Sequence, residues 1–521
     1  MMTSIFETLF FLLTFLSFSA TTYSPPWTSS SMEFFALLAA LSIFLSIPLK
    51  SQKILISENI LFFLIFLLAS YFFFFFQNIN EKEKIWMTTL YGVFFIIYAN
   101  SIKLKSEEFK EKTIITLLIS GFFNSFVIFT QYFSLFQSEF GIWIADYSAT
   151  HGRPYGNFGQ PNLAASLILT SLCCGIYLQK NGKISFKTLI IITIFFGFAL
   201  AFPSSKTSFL CLIVLTSLAL LLKDRASFFA FLITSFTVAV VKLLTPATRD
   251  FSSGDISTGR FELWQTMLNA LWQSPWFGYG VLNTKVAHFE SRELNITPKG
   301  QVIGSSHNLI LDFFIWFGVI IGLILAIYYL KLIFNYSKHN QSNHKNIYLV
   351  FPIFIHSLLE YPLFYANFLL IFAFILNINS KDLFQIKSKI TPFAFAFIGI
   401  FLFAAVAIEY YKISMRFTEL RFYNNNFARA EKPEPISLNL LDITGGQYNL
   451  FLIDKIENAN DFRMIANLTK STPSFKNFLL IIKYLKEHNK PQLEIDFWLM
   501  KARSSFGEAE VRILENESLK P

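Results

Sequence analysis

The sequence predicts an all-α fold, a polytopic transmembrane helical bundle of about 12–13 spans with a large periplasmic loop and a small α-helical C-terminal domain. Hydrophobic residues make up 54% of the chain, charged residues only 15%, and the mean hydropathy is +0.49. Apolar runs of about 16 to 25 residues recur along the first 411 positions, and about 20 helical residues cross a bilayer core of roughly 30 Å. Basic residues are concentrated in alternate loops, as in multi-pass proteins.

Thirteen runs qualify as candidate spans. Several are short, which indicates tilted, re-entrant or half-helical segments. No basic residue precedes the first run and no small-x-small cleavage site follows it, so we expect an anchor, not a removable signal peptide. The runs lie at 5–21, 34–49, 60–76, 85–102, 113–133, 161–178, 187–203, 207–222, 226–243, 307–334, 347–361, 363–378 and 391–411.

Cysteine usage and charge exclude other classes of protein. Cys173, Cys174 and Cys211 all lie inside apolar runs, where they are typical buried hydrophobes instead of disulfide or zinc partners. The formal net charge is +9, but the basic residues border spans. Membrane lipids are therefore the expected partners, and nucleic acid is not.

The loop charges predict an orientation in the bilayer. With a cytoplasmic N-terminus the inward loops hold seventeen Lys and Arg residues, whereas the short outward connections hold only Lys82, Lys84, Arg153 and Lys206. This bias is the one expected of a bacterial inner-membrane protein whose segments 134–160, 244–306 and the tail from 412 face the periplasm. The inward residues are Lys50, Lys53, Lys103, Lys105, Lys110, Lys112, Lys180, Lys183, Lys187, Lys223, Arg225, Lys331, Lys338, Lys345, Lys381, Lys387 and Lys389.

The predicted topology divides the chain into four parts. Residues 1–243 hold the N-terminal spans, 244–306 form a periplasmic loop, and 307–411 hold the remaining spans. The tail, 412–521, alternates helical stretches with breaks at Pro473 and Pro491, which predicts a small helical domain. A protein-docking role for it is a hypothesis.

A polar, glycine-rich segment precedes the sixth span. Residues 152–162 are Gly-Arg-Pro-Tyr-Gly-Asn-Phe-Gly-Gln-Pro-Asn, and such a segment is costly at a membrane surface unless it is buried in protein or lines a cavity. The alternative is a capped turn, with Pro161 in the first helical turn and Asn162 satisfying free amides.

A second constellation lies in the long outer loop. Arg260 and Trp264 are one helical turn apart, a Pro-Trp-Phe-Gly-Tyr-Gly segment follows at 275–280, and Ser305-Ser306-His307-Asn308 precedes the tenth span. A guanidinium and an indole on one helix face suit ligand binding, but an interfacial amphipathic helix has the same residues. A histidine side chain can accept a proton from an alcohol, which makes His307 a candidate catalytic residue; the alternative is a helix cap or a headgroup contact.

A third polar segment interrupts an apolar run. Residues 356–363 are His-Ser-Leu-Leu-Glu-Tyr-Pro-Leu, and ionisable groups at membrane depth usually face a cavity or one another. The spacing predicts that His356 and Glu360 share a helix face and form a hydrogen-bonded pair. The alternative is a structural pair at a kink made by Pro362. A weaker site is the outer turn 203–208, where Lys206 binds phosphate as a point charge or only snorkels.

The first and third segments together resemble PglL-type bacterial protein O-oligosaccharyltransferases. Arg153 to Asn157 with Gln160-Pro161-Asn162 is similar to their signature, and the 356–363 segment is similar to their His-Ser-x-x-Glu-aromatic-Pro-Leu pattern. The Arg-Trp helix, the Pro-x-x-Gly-x-Gly turn and the His-Asn pair resemble the wider O-antigen ligase and polymerase superfamily. Two positions depart from these patterns, because Leu163 stands where the family commonly has His and Lys206 where related ligases usually have Arg.

The resemblance implies transfer of a preassembled oligosaccharide from undecaprenyl diphosphate to Ser or Thr hydroxyls of a periplasmic or pilin-like acceptor protein. It implies no cofactor, and the absence of an acidic cluster in the sequence predicts catalysis without metal. The expected catalytic residues are His307, Arg260, His356 and Glu360; the expected substrate-binding residues are Arg153, Gln160, Asn162, Lys206, Trp264 and Asn308.

Other functions remain open at this stage. The same chemistry on another acceptor gives an O-antigen ligase, which modifies lipid A–core, or an O-antigen polymerase. A polysaccharide transporter or flippase also has many spans and buried charges. Against it, the sequence has no internal repeat and its polar motifs cluster on one side. A structural scaffold would not need His307, His356 and Glu360 at the ends of spans.

Overall fold

The computed structural model describes residues 2–21, 26–47, 53–76, 82–135, 153–245, 259–294, 303–340, 346–378, 380–386, 390–425 and 431–518. These residues are almost entirely helical, which confirms the predicted polytopic helical membrane fold. The membrane part contains α1 (Met2–Ser19), α2 (Ser30–Leu45), α3 (Glu58–Phe76), α4 (Lys82–Lys103), α5 (Glu107–Tyr132), α6 (Pro161–Lys180), α7 (Phe186–Ala201), α8 (Lys206–Leu221), α9 (Arg225–Leu244), α10 (Arg260–Gln273), α11 (Thr284–Glu290), α12 (Leu309–Asn340), α13 (Phe351–Ser357), α14 (Ala366–Asn377) and α15 (Ile390–Asn424). The tail contains α16 (Asp442–Leu452), α17 (Ala459–Ser471), α18 (Phe475–Glu487), α19 (Gln492–Ser505) and α20 (Glu508–Glu517).

Each of the thirteen predicted spans coincides with an apolar helix. In the described part of the chain seven helices are long and apolar enough to cross a membrane, namely α3, α4, α5, α6, α9, α12 and α15. The other six are shorter: α1, α2, α7, α8, the segment Ile347–Ser357 that includes α13, and α14. The last span continues beyond its predicted end at 411, because α15 runs to Asn424.

Side-chain caps fix the beginnings of several helices. Ser106, Ser185 and Ser205 each accept a hydrogen bond from the backbone amide three residues later, at the start of α5, α7 and α8. Asp224 does the same for α9. Such caps satisfy amides that have no partner within the helix, so these short polar residues end one apolar run and begin the next.

The chain forms two compact units, and the first comprises residues 1–65, 91–254 and 328–401. It contains a feature that the sequence did not predict, a two-stranded antiparallel sheet of β1 (Ile54–Ser57) and β2 (Asp382–Ile386) with Ile54 opposite Ile386. Both strands lie in loops that the charge pattern assigns to the inner side.

Polar contacts in the first unit join helix ends that the charge pattern assigns to the same side of the membrane. Ion pairs join Lys180 to Asp224, Lys183 to Glu111 and Lys103 to Asp382, all of them in segments predicted to face inward. In segments predicted to face outward, the Asn157 side chain donates to the Ser19 carbonyl at 2.6 Å and the Asn367 side chain to the Ser17 carbonyl at 2.9 Å. Helix ends assigned to one side therefore contact one another.

The second unit comprises residues 66–90, 255–327 and 402–521. Helices α17 to α20 pack around a hydrophobic core that also includes Phe289 of α11. The ammonium of Lys501, a side chain only 3% exposed, pairs with Glu293 at 2.6 Å and donates to the Glu290 carbonyl at 2.7 Å. The Arg292 guanidinium donates to the carbonyls of Ser504 and Ser505. The tail is thus joined to the long loop by a shared core and buried charges.

Candidate active site

The glycine-rich segment before α6 is held against α5 by one amide side chain. The Gln131 carbonyl oxygen accepts from the amides of Tyr155 and Gly156 at 3.0 and 2.9 Å, and its amide group donates to the Gly156 carbonyl at 2.7 Å. Tyr155 and Asn157 are buried. The segment is therefore built into the protein, as its polarity at the end of a span requires.

Glu360 brings the two PglL-like motifs together. Its carboxylate accepts from the Asn162 side-chain amide at 2.8 Å and from the Gln160 side-chain amide at 3.4 Å. Gln160 and Asn162 flank Pro161, the first residue of α6, and neither bond is a helix cap. The side-chain amide group of Asn162 is thus directed at Glu360.

The predicted hydrogen-bonded pair of His356 and Glu360 stays a prediction. Helix α13 ends at Ser357, and Glu360 lies in the turn that follows, where its backbone amide donates to the His356 carbonyl at 2.8 Å. His356 Nδ1 and the Ser166 hydroxyl of α6 are 2.5 Å apart. Both motifs are therefore anchored to α6.

Cations converge on the turn between α7 and α8. The Arg153 guanidinium donates to the Pro203 carbonyl through Nε at 3.1 Å and Nη2 at 3.0 Å, and the Lys242 ammonium donates to the Ser204 hydroxyl. Lys206 is the first residue of α8. Ser204 is buried and has a left-handed backbone with φ of 51°. Arg153, Lys206 and Lys242 thus place positive charge around one turn.

In the second unit, His307 lies in a tight loop directly before α12. Its φ is 56°, a left-handed conformation that is uncommon for a residue with a side chain. Its backbone amide donates to the Ser305 hydroxyl at 3.1 Å. Asn308 caps α12, because its side-chain oxygen accepts from the Leu311 amide at 3.1 Å. The imidazole of His307 is half-buried.

Helix α10 contacts this loop through Trp264. The indole Nε1 donates to the carbonyl of Ser306, the residue before His307, at 3.0 Å. Arg260 begins α10 one turn earlier, so the helix that contacts the histidine loop also carries Arg260. The pairing of Arg260 and Trp264 on one helix agrees with the sequence spacing.

The Pro-Trp-Phe-Gly-Tyr-Gly segment is inserted into a break in α12. Gly318 has φ of 73° and ψ of −177°, which interrupts the helix. The amides of Tyr279 and Gly280 donate to the carbonyls of Ile315 and Trp316 at 2.8 and 2.9 Å, and the Val319 amide donates to the Pro275 carbonyl at 2.7 Å. A Cβ at Gly318 would overlap the backbone of Trp276. Glycine at this position permits the two backbones to touch. The hydrogen bonds between them satisfy backbone groups that the break in the helix leaves without a helical partner.

Burial shifts several pKa values outside the spans of this unit, including those of His288 and Tyr279. The pKa of His288 in α11 falls to about 4 because the ring is buried and Arg292 is nearby. The pKa of the Tyr279 hydroxyl rises to about 12 because of burial and the proximity of Glu290. His288 is therefore neutral at physiological pH and belongs to the packing of α11.

The structure groups the predicted site residues into two clusters, one in each unit. The first unit brings together Gln160, Asn162 and Glu360, and His356 contacts the same helix, α6, through Ser166. The second brings the loop of His307 and Asn308 to the helix of Arg260 and Trp264. Within the described ranges, no group of three or more His, Cys, Asp and Glu side chains has the arrangement of a metal site, and metal-independent catalysis stays a prediction.

Several residues of these clusters were not predicted from the sequence: Gln131, Ser166, Lys242, Thr284, Asp312 and Gly318. All except Thr284 lie within a predicted span, where a single polar residue or glycine is ordinary. The two charged residues among them, Lys242 and Asp312, carried a signal, because ionisable groups within spans are usually functional or paired.

Comparison with known proteins finds two family models that match parts of the chain containing residues of both clusters. Residues 163–327 match the family model described as O-antigen ligase, and residues 347–433 match the one described as virulence factor membrane-bound polymerase, C-terminal. A ComP-specific O-oligosaccharyltransferase of Acinetobacter baylyi is 31% identical over 285 residues, or 52% of this chain and 50% of that protein. A general O-oligosaccharyltransferase of the same species is 28% identical over 307 residues, or 54% and 53%. The chain spans about half the length of these curated relatives.

Proposed function

We propose that the chain is a protein O-oligosaccharyltransferase, because residues 163–327 match the family model described as O-antigen ligase and two curated relatives are named O-oligosaccharyltransferases. It moves a preassembled glycan en bloc from undecaprenyl diphosphate to Ser or Thr hydroxyls of periplasmic or pilin-like proteins. It works in the bacterial inner membrane with its site facing the periplasm, the side to which the loop charges assign the motifs.

The observation that carries this proposal is the contact of Glu360 with Asn162 and Gln160. These residues come from the two segments that resemble protein O-oligosaccharyltransferases more than ligases of lipid acceptors. Their side chains are about 200 positions apart in the sequence, and they form hydrogen bonds with one another. Two curated relatives carry the name O-oligosaccharyltransferase, which supports the same acceptor class.

His307 is the proposed general base. In the reaction the acceptor hydroxyl oxygen attacks the anomeric carbon of the first sugar, and the bond from that carbon to the diphosphate oxygen breaks. Undecaprenyl diphosphate leaves with the bonding electrons, and the hydroxyl proton passes to the imidazole. The half-buried ring in a polar loop has the exposure that such a proton acceptor requires.

The cationic turn of the first unit suits a diphosphate. Arg153 offers a planar fork, and Lys206 and Lys242 act as point charges. We assign Lys242 to the same task as Arg153 because their side chains contact neighbouring residues, Pro203 and Ser204. Lys242→Gln should raise the KM for the lipid-linked donor several-fold, whereas Lys242→Arg should not; an unchanged KM in Lys242→Gln would remove it from the donor site.

A second candidate function is favoured by the O-antigen ligase match over residues 163–327. That function uses the same donor but transfers to lipid A–core. The two functions differ only in acceptor, so the product distinguishes them.

The test is co-expression with an undecaprenyl-diphosphate glycan pathway and candidate pilins in a host without its own oligosaccharyltransferase. We expect intact-mass spectra of a pilin to gain the mass of the whole glycan, and to lose that gain with the His307→Ala enzyme. Glycan on lipid A–core alone, or lengthened glycan on the lipid carrier, would overturn the protein acceptor in favour of the ligase or the polymerase.

A further inference from the structure

We propose that Asp312 is a positioning residue for His307, an inference that rests on the proposed role of that histidine. Asp312 lies in the first turn of α12, is 1% exposed, and comes five residues after His307. Its carboxylate does not act on substrate. It holds the loop that carries the imidazole.

The carboxylate accepts three hydrogen bonds from two segments. The Ser305 hydroxyl donates to Oδ2 at 3.0 Å, and the Ser306 amide donates to Oδ1 at 3.0 Å. The Thr284 hydroxyl donates to Oδ1 at 3.2 Å. An ionised carboxylate has about four acceptor sites, so one side chain satisfies all three donors.

The Ser305 hydroxyl connects Asp312 to the backbone of His307. Ser305 donates its hydroxyl hydrogen to Asp312 and, with the same oxygen, accepts from the His307 amide at 3.1 Å. This arrangement fixes which way the Ser305 hydroxyl points. His307 has φ of 56°, a conformation that is strained for a residue with a side chain and persists where surrounding bonds impose it. Asp312 is the buried centre of those bonds.

The same network extends to the C-terminal domain. Thr284 begins α11 and also accepts from the Trp316 indole at 2.9 Å. The other end of α11 carries Phe289, which lies in the core of the tail, and Glu290, whose carbonyl accepts from Lys501. Helix α11 therefore connects the tail to the carboxylate that holds the histidine loop.

The chemistry requires a carboxylate at this position. Asparagine has one acceptor oxygen, so its amide group would face a donor and leave at least one hydrogen bond unmade. Leaving a buried donor without its partner is unfavourable. The donors that bond Asp312 in this loop belong to Ser305 and Ser306, so their loss changes the geometry of the loop that carries His307.

The experiment measures transfer by purified enzyme from extracted undecaprenyl-diphosphate oligosaccharide to a pilin acceptor, normalised to folded enzyme by fluorescence-detected size exclusion. We expect Asp312→Asn to lower kcat at least tenfold with little change in the donor KM. Ser305→Ala should lower kcat as well, and the double variant should be no worse than the more impaired single one, since both remove the same connection. Asp312→Glu should recover part of the loss.

The matched control is Asp224→Asn, which removes a capping carboxylate of α9 that also bonds Tyr348; its kcat should stay near wild type. Unchanged kcat per folded enzyme in Asp312→Asn, with only the yield reduced, would overturn the positioning role. Failure of the proposed function is distinguishable, because His307→Ala would then be active while Asp312→Asn could still be impaired.

Discussion

The side-chain amide of Asn162 donates to the carboxylate of Glu360 at 2.8 Å, across 198 positions of sequence. The bond joins the first turn of α6 to the turn that follows α13. Both partners belong to segments that resemble one enzyme family, so the structure brings the two similar segments into direct contact.

Asn162→Asp should impair glycan transfer by at least tenfold, because it replaces a donor by a second carboxylate beside Glu360. The reciprocal double change Asn162→Asp with Glu360→Gln restores a donor opposite an acceptor and should recover part of the activity. Intact-mass measurement of the acceptor, normalised to enzyme level, tests this. Wild-type transfer by Asn162→Asp alone would show that the contact has no bearing on function.

The shared core of α11 and the tail predicts that the long loop and the tail face the same side of the membrane. Positions 273 and 460 are exposed. Single cysteines introduced at these positions, in a variant without the three native cysteines, should both react with a membrane-impermeant thiol reagent added from the periplasmic side. A cysteine at the exposed position 187, in an inward loop, is the control and should be protected. Labelling at 460 only after permeabilisation of the inner membrane would contradict the topology.

Arg260→Lys should reduce transfer although it keeps the charge, since a planar guanidinium binds two phosphate oxygens and an ammonium does not. Lys206→Arg is the matched change in the other direction and should leave activity intact or improved. Both are read by the rate of acceptor modification at equal enzyme levels. Full activity in Arg260→Lys would indicate that this residue only anchors α10 at the membrane surface.

Gly318→Ala should destabilise the protein by about 2 kcal/mol more than Gly182→Ala. Both glycines have a positive φ, of 73° and 70°, so a side chain is strained at either position. Only Gly318 has backbone atoms of Trp276 and Phe277 where a Cβ would lie; nothing is within 4 Å of the Cβ position at Gly182. Thermal unfolding in detergent measures the difference, and equal melting temperatures would show that the segment 275–280 does not depend on this approach.

The sequence predicts the helices and motifs of this protein because hydropathy and motif spacing are local properties. It does not predict β1 and β2, because the strand Ile54–Ser57 depends on a partner more than 320 positions away. It does not predict the break in α12, since a glycine in an apolar run is ordinary and only the inserted segment 275–280 makes Gly318 necessary. It does not predict the bonds of His356 to Ser166 and of Glu360 to Asn162, because these partners lie 190 and 198 positions away in the sequence.

The most direct test of the central claim is the activity of His307→Ala beside that of His356→Ala. We predict that His307→Ala inserts at normal abundance and loses at least a hundredfold in transfer, about the scale expected when an acid–base group is removed. His356→Ala should lose less, because that ring bonds Ser166 and supports the cluster of Glu360. Intact-mass analysis of the acceptor from each strain, normalised to enzyme level, measures both. Normal glycosylation by His307→Ala with none by His356→Ala would contradict the account and move the catalytic centre to His356 and Glu360.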